Sequence, residues 1–168
     1  MARNISSLDQ TERMIVAAVD AVPAKLKAYT RTDWTGMLKK QVGDLGVALK
    51  CLVCASGFED DFEKEWLYDL VWYENNKDGE LIDVPLVLEA EWDQDFAGIK
   101  YDFEKLLLSR SKYKVMIFEG DSSTIPGTLA RLSAIVTHCR LTVGGERYLF
   151  FAWNNSEDEF EVEHLITK

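Results

Sequence analysis

Three carboxylates stand out by where they fall. Asp69 interrupts an aromatic and apolar run, Trp66-Leu-Tyr-Asp69-Leu-Val-Trp-Tyr73, while Glu89 and Glu91 interrupt Val84-Pro-Leu-Val-Leu-Glu89-Ala-Glu91-Trp92. A lone charge in a segment suited to a core is costly to bury, so each acid calls for a partner, either a metal ion or a basic side chain. Side chains alternate along a strand. Glu89 and Glu91 therefore share a face with Val87, and Asp69 shares one with Leu67, Val71 and Tyr73. With Tyr73 opposite Asp83, Asp69 lies opposite Val87 and diagonal to Glu89, and all three acids emerge on one side of the sheet. A slip of one residue would send Asp69 to the other side. Carboxylates gathered in this way repel one another unless something positive sits among them. Hard oxygen ligands on neighbouring strands suit Mg²⁺ or Mn²⁺, an ion that polarises a phosphoryl oxygen and activates water. The competing expectation is a solvated sheet face with salt-bridged acids at its rim.

The elements that would position these acids can be read in order. Leu8 to Asp20 has helical character, Pro23 breaks or restarts it, and Ala24 to Tyr29 continues it. Thr32-Asp33-Trp34 opens a second helix whose stripe is Trp34, Met37, Leu38, Val42 and Leu45, with Gly43 and Gly46 bracketing its end. Val47 to Ala55 reads as a first strand and Ser56 to Glu63 as an acidic loop. The runs around Asp69 and Glu89 form a hairpin through the turn residues Asn75 to Gly79. Pro85 cannot be hydrogen-bonded on both sides there. Asp93-Gln94-Asp95 caps a helix to Arg110 with the stripe Phe96, Ile99, Phe103, Leu106 and Leu107. Tyr113 to Phe118 is a strand, Thr128 to Cys139 a helix, Glu146 to Trp153 a strand, and Phe160 to Ile166 a short edge strand. The fold class expected is α/β (α+β), a mixed sheet flanked by helices.

Over residues 33–119 this order, with Asp69 on one strand and Glu89-Ala90-Glu91 on the next, resembles the core of the PD-(D/E)XK superfamily, the restriction-endonuclease-like fold. The resemblance implies an αβββαβ core, extended here by a C-terminal helix and strands. It implies that Asp69 and Glu89 hold the metal, with help from the Ala90 carbonyl. Glu91 stands where the family signature has Lys, an E-x-E variant, and Tyr68 stands where it has Pro. The activity implied is metal-dependent hydrolysis of phosphodiester bonds, with Glu91 orienting or deprotonating the attacking water. Family members lacking the signature Lys sometimes recruit a basic residue from the following helix, which makes Lys105 the candidate. At ~100° per residue, however, Lys105 points nearly opposite the Ile99–Phe103–Leu107 stripe, toward solvent.

Composition bounds these expectations. The 168 residues fit a single domain, divided into an N-terminal helical segment 1–31, the core 33–119 and a C-terminal part 120–168. With 29 acidic against 19 basic residues the formal charge is −10, which argues against a chain that grips nucleic acid over a broad face. Binding of nucleic acid would need the local basic patch Lys100, Lys105, Arg110, Lys112 and Lys114, or a protein partner. The acidity and the missing Lys favour two alternatives: a catalytically inactive binding or assembly module on the same fold, and an acidic immunity or inhibitor protein that binds a basic partner. No run of eighteen apolar residues and no signal-peptide core is present, so a cytoplasmic location without membrane contact is expected. The three cysteines, Cys51, Cys54 and Cys139, are expected to be reduced and apolar in behaviour; Cys51-Leu-Val-Cys54 with His138-Cys139 is the competing zinc arrangement. Trp34, Trp66, Trp72, Trp92 and Trp153 are expected to pack in the core. Neither a phosphate-binding loop nor a Gly-x-Ser-x-Gly elbow is found around Gly120 to Gly127.

Overall fold

In the computed structural model, residues 7–22, 30–58 and 61–168 are described. The expected helical continuation over Ala24 to Tyr29 lies outside them, as does part of the acidic loop. The elements are α1 (Gln10–Asp20), α2 (Arg31–Ala48), β1 (Leu52–Ala55), β2 (Leu70–Asn75), β3 (Leu81–Glu91), α3 (Phe96–Leu108), β4 (Tyr113–Gly120), α4 (Ile125–His138), β5 (Arg147–Asn154) and β6 (Glu159–Ile166). The six strands form one mixed sheet in chain order, β1 to β6. The β1–β2, β2–β3 and β5–β6 pairs are antiparallel, while β3–β4 and β4–β5 are parallel. The parallel pairs need crossovers, and α3 and α4 supply them.

Alternation along the strands divides the core into two halves. Leu70, Trp72, Leu86, Leu88, Val115, Ile117, Leu149 and Phe151 pack against α1 and α2. Val71, Val87, Met116, Phe118, Phe150 and Ala152 pack against α3 and α4. Strands buried on both faces read as continuous apolar runs, which is why β4 is buried at all eight positions.

The helices begin where their caps dictate. Asp9 and Glu12 form a reciprocal capping box on α1, and Thr30 with Asp33 forms another on α2, two residues ahead of the expected cap. α2 then runs through Gly43 and Gly46 instead of ending there. At Gly46 a Cβ would lie 2.5 Å from the Trp72 indole nitrogen, and at Gly43 it would strike the Phe62 ring. These glycines therefore serve close packing inside the helix, where the sequence suggested a terminus. The buried Trp72 indole donates to the Val42 carbonyl at 3.1 Å. As a result the first strand shrinks to four residues, reached through Lys50 at φ 68°.

The hairpin register also departs from expectation. Leu70 pairs with Leu88, Val71 with Val87 and Trp72 with Leu86, whereas Glu74 faces Asp83 after an irregularity. Bulges near Tyr73 thus displace the strand by two residues. Just ahead of that ladder, Asp69 comes beside Ala90, whose N–H it accepts, instead of opposite Val87. A two-residue shift keeps the face, so the acids stay together. Beyond Pro85 toward the turn, β3 pairs only with β2, since its ladder with β4 begins at Leu86.

Candidate active site

β2 runs antiparallel to β3, so the start of β2 and the end of β3 lie together, beside the C-terminal end of the parallel strand β4. Open sheets of this kind present their ligand sites at that edge. Asp69 is the residue before β2, and its Oδ2 accepts the Ala90 backbone N–H at 2.9 Å. Glu89 is only 2% exposed and points to the α3 side with Val87. Lys105 Nζ lies 2.9 Å from Glu89 Oε1 and 2.8 Å from Asp102 Oδ1. The Lys105 ammonium therefore meets the buried Glu89 Oε1 as an ion pair at hydrogen-bonding distance.

This corrects the expectation that Lys105 faces solvent. The wheel angle places its Cβ on the outer flank of α3, but the four-carbon stem folds back over Asp102, one turn earlier, to the end of β3. Asp102 is the member of the cluster that the sequence did not single out. It bonds Lys105 and also faces Glu91. An acid on a helix flank carries no signal of its own; its spacing of three from Lys105 is the trace it leaves.

Electrostatics follow from burial. Desolvation pushes Glu89 up to about 8, opposed by Lys105 and reinforced by the charges of Asp69 and Asp102. Asp69 is raised by burial, against the Ala90 hydrogen bond and the nearby Lys39 and Lys105. Glu91 is raised by burial and by Asp102, although its Oε1 accepts the Asp93 N–H at 2.7 Å. Lys105 is raised by hydrogen bonds to Asp102 and Glu89 in spite of its own desolvation. Lys39, buried on α2 and bonded to Ser56 and Glu65, is a second cation near Asp69.

Asp69, Glu89 and Lys105 thus come together, and Asp102 joins them to Glu91. Among the described residues no trio of His, Cys, Asp and Glu converges as a metal-holding group. Mg²⁺ asks for less, one or two carboxylates with retained waters and substrate oxygens. Asp69 and Glu89 offer two carboxylates, with Glu89 Oε1 held by the Lys105 ammonium at 2.9 Å.

Other expected groups disperse. Of the basic cluster, Lys100 pairs with Glu104, Lys112 with Asp9, and the fully buried Lys114 with Glu146 at 2.8 Å. Those three cations are each paired within the chain, although Lys100 and Lys112 stay about half exposed. All three cysteines are free; Cys54 is buried, and its thiol is pushed up to about 11 by burial. Trp34, Trp72 and Trp153 are core residues, but Trp66 is 48% exposed, because it precedes β2 instead of lying in it. Among the described residues no helix is long and apolar enough to cross a membrane. Comparison with family models, curated proteins and solved structures gives no match.

Proposed function

We propose that the chain is a metal-dependent nuclease-like protein that hydrolyses phosphodiester bonds, on a restriction-endonuclease-like core. The observation that carries this reading is the convergence of Asp69, Glu89 and Lys105 at the strand-end edge, with Glu91 linked through Asp102. The element order from α2 to β4, a helix, three antiparallel strands, a helix and a parallel strand, agrees with the αβββαβ pattern.

Asp69 and Glu89 would hold Mg²⁺ or Mn²⁺, and the bound ion would supply charge for the phosphoryl oxygens and acidity for a water. Glu91, whose carboxyl is pushed up from its ordinary value by burial and by Asp102, would take a proton from the attacking water. Water oxygen bonds to phosphorus, the P–O bond to the leaving strand breaks, and the departing alkoxide takes a proton from solvent. Lys105 faces the growing negative charge of the phosphoryl group, and Asp102 holds it there. Cleavage of single- and double-stranded DNA and RNA with Mg²⁺ or Mn²⁺ is the test. Activity that depends on the ion and disappears in Asp69→Ala supports the reading; no cleavage of any of them opposes it.

The second reading is a non-catalytic binding module. The Lys105–Glu89 ion pair favours it, because the ammonium satisfies internally a charge that a metal would otherwise satisfy.

A further inference from the structure

A groove lies against Tyr68, the residue before Asp69. The irregular stretch before β2 carries Trp66, Leu67 and Tyr68, with Trp66 48% and Leu67 79% exposed. With Val84 and Val87 they line a mostly apolar cavity of about 230 Å³, with Arg110 at its rim. The Trp66 ring is steadied from one side by Tyr73, with centroids 4.7 Å apart. Tyr68 connects groove and cluster: it precedes Asp69 in the chain, and its hydroxyl donates to the Lys105 carbonyl at 3.4 Å. Tyr68 is thus the residue that the groove and the cluster's neighbourhood share.

We propose that this groove binds an unpaired nucleobase of a single-stranded nucleic acid by stacking on Trp66, an inference that rests on the nuclease reading and names its substrate class. The alternative substrate, a duplex, is gripped chiefly through phosphates by lysines and arginines. This chain has a net charge of −10, and Lys100, Lys105, Lys112 and Lys114 are each tied to a carboxylate. Affinity must then come from a source that needs little charge. Stacking of bases on aromatic rings is such a source and tolerates any sequence. Arg110 is placed for one flanking phosphate.

The test is fluorescence anisotropy of a labelled oligothymidylate, in Ca²⁺ or EDTA so that no strand is cut, against the same strand in a duplex. The single strand should bind more tightly than the duplex, with a shallow salt dependence. Trp66→Ala should weaken it about tenfold, and Trp66→Phe should restore most of the loss. Trp66 is half exposed, so these variants should fold, as circular dichroism would verify. Binding without any cleavage by wild type would keep the groove assignment while removing the nuclease reading. The proposal is overturned if wild type binds no single strand, if the duplex binds as well, or if Trp66→Ala binds unchanged. It is equally overturned if Trp66→Ala instead dissolves a dimer in sedimentation, which would make the groove a contact between copies.

Discussion

Glu89→Gln is expected to abolish metal-dependent cleavage and, in the same protein, to raise stability at alkaline pH. The loss of activity should be on the order of 10³-fold, because the substitution removes one of two anionic ligands from a site that must neutralise phosphoryl charge. The gain follows from the cost of keeping that anion buried. The folded Glu89 carboxyl is pushed up to about 8, well above its ordinary value, chiefly by burial. Between those two values the folded state binds more proton than the unfolded state, so stability falls as pH rises. The stabilising share is fully present below the unfolded value and is lost as pH passes through about 8. Glutamine has no proton to lose. In chelator, the variant should match wild type near pH 4 and exceed it by roughly 2–4 kcal/mol at pH 9, some of the ideal gain being forfeited with the Lys105 pair. Urea unfolding at several pH values reads this directly. A variant less stable than wild type at pH 9 would mean that the Lys105 pair outweighs the desolvation of Glu89.

Arg147→Ala is expected to cost about 3–5 kcal/mol, the usual result of removing one partner from a buried ion pair. Glu12 of α1 is fully buried, and Arg147 Nη2 lies 2.6 Å from its Oε2. His164 Nε2 lies 2.7 Å from its Oε1, and the Asp9 N–H donates to Oε2 at 2.7 Å. Arg147 also reaches the Ser7 carbonyl at 3.1 Å, so one guanidinium ties the start of α1 to β5 and, through Glu12, to β6. Without it, His164 is the potential cation left beside Glu12 among the described residues. In wild type His164 is lowered, first by burial and in part by Arg147. A lowered base takes up less proton folded than unfolded, so wild type loses stability as pH falls from His164's unfolded value toward its folded one. In the variant that repulsion is gone, and protonated His164 can stand in for the arginine. The penalty should therefore be smaller at pH 5 than at pH 8. Guanidinium midpoints at the two pH values would show it; a pH-independent penalty would contradict the account.

These contacts mark how far the sequence could be followed. That Asp69, Glu89 and Glu91 share a face follows from the two-residue period of a strand, and it survived a register error because the bulges shifted β2 by an even number. The error itself had no local signal, since irregularities near Tyr73 depend on how the hairpin twists. Lys105 was misdirected because a helical wheel locates Cβ, while the ammonium sits several bonds away. The pairing of Lys112 and Lys114 had no signal because Asp9 and Glu146 come from distant parts of the chain. Glu12 and Arg147 went unremarked for the same reason. The overrun of α2 is physical too: a glycine reads as a stop from sequence, but at Gly46 it makes room for Trp72.

The central claim is that Asp69 and Glu89 form a divalent-cation site, and a thermal-shift titration with Mn²⁺ on wild type and Asp69→Asn tests it most directly. A ligand that binds only the folded state raises the melting temperature in step with its concentration. Wild type should melt progressively higher as Mn²⁺ is added, and Asp69→Asn should not respond. Unchanged melting in both proteins, or an equal rise in both, would contradict the account.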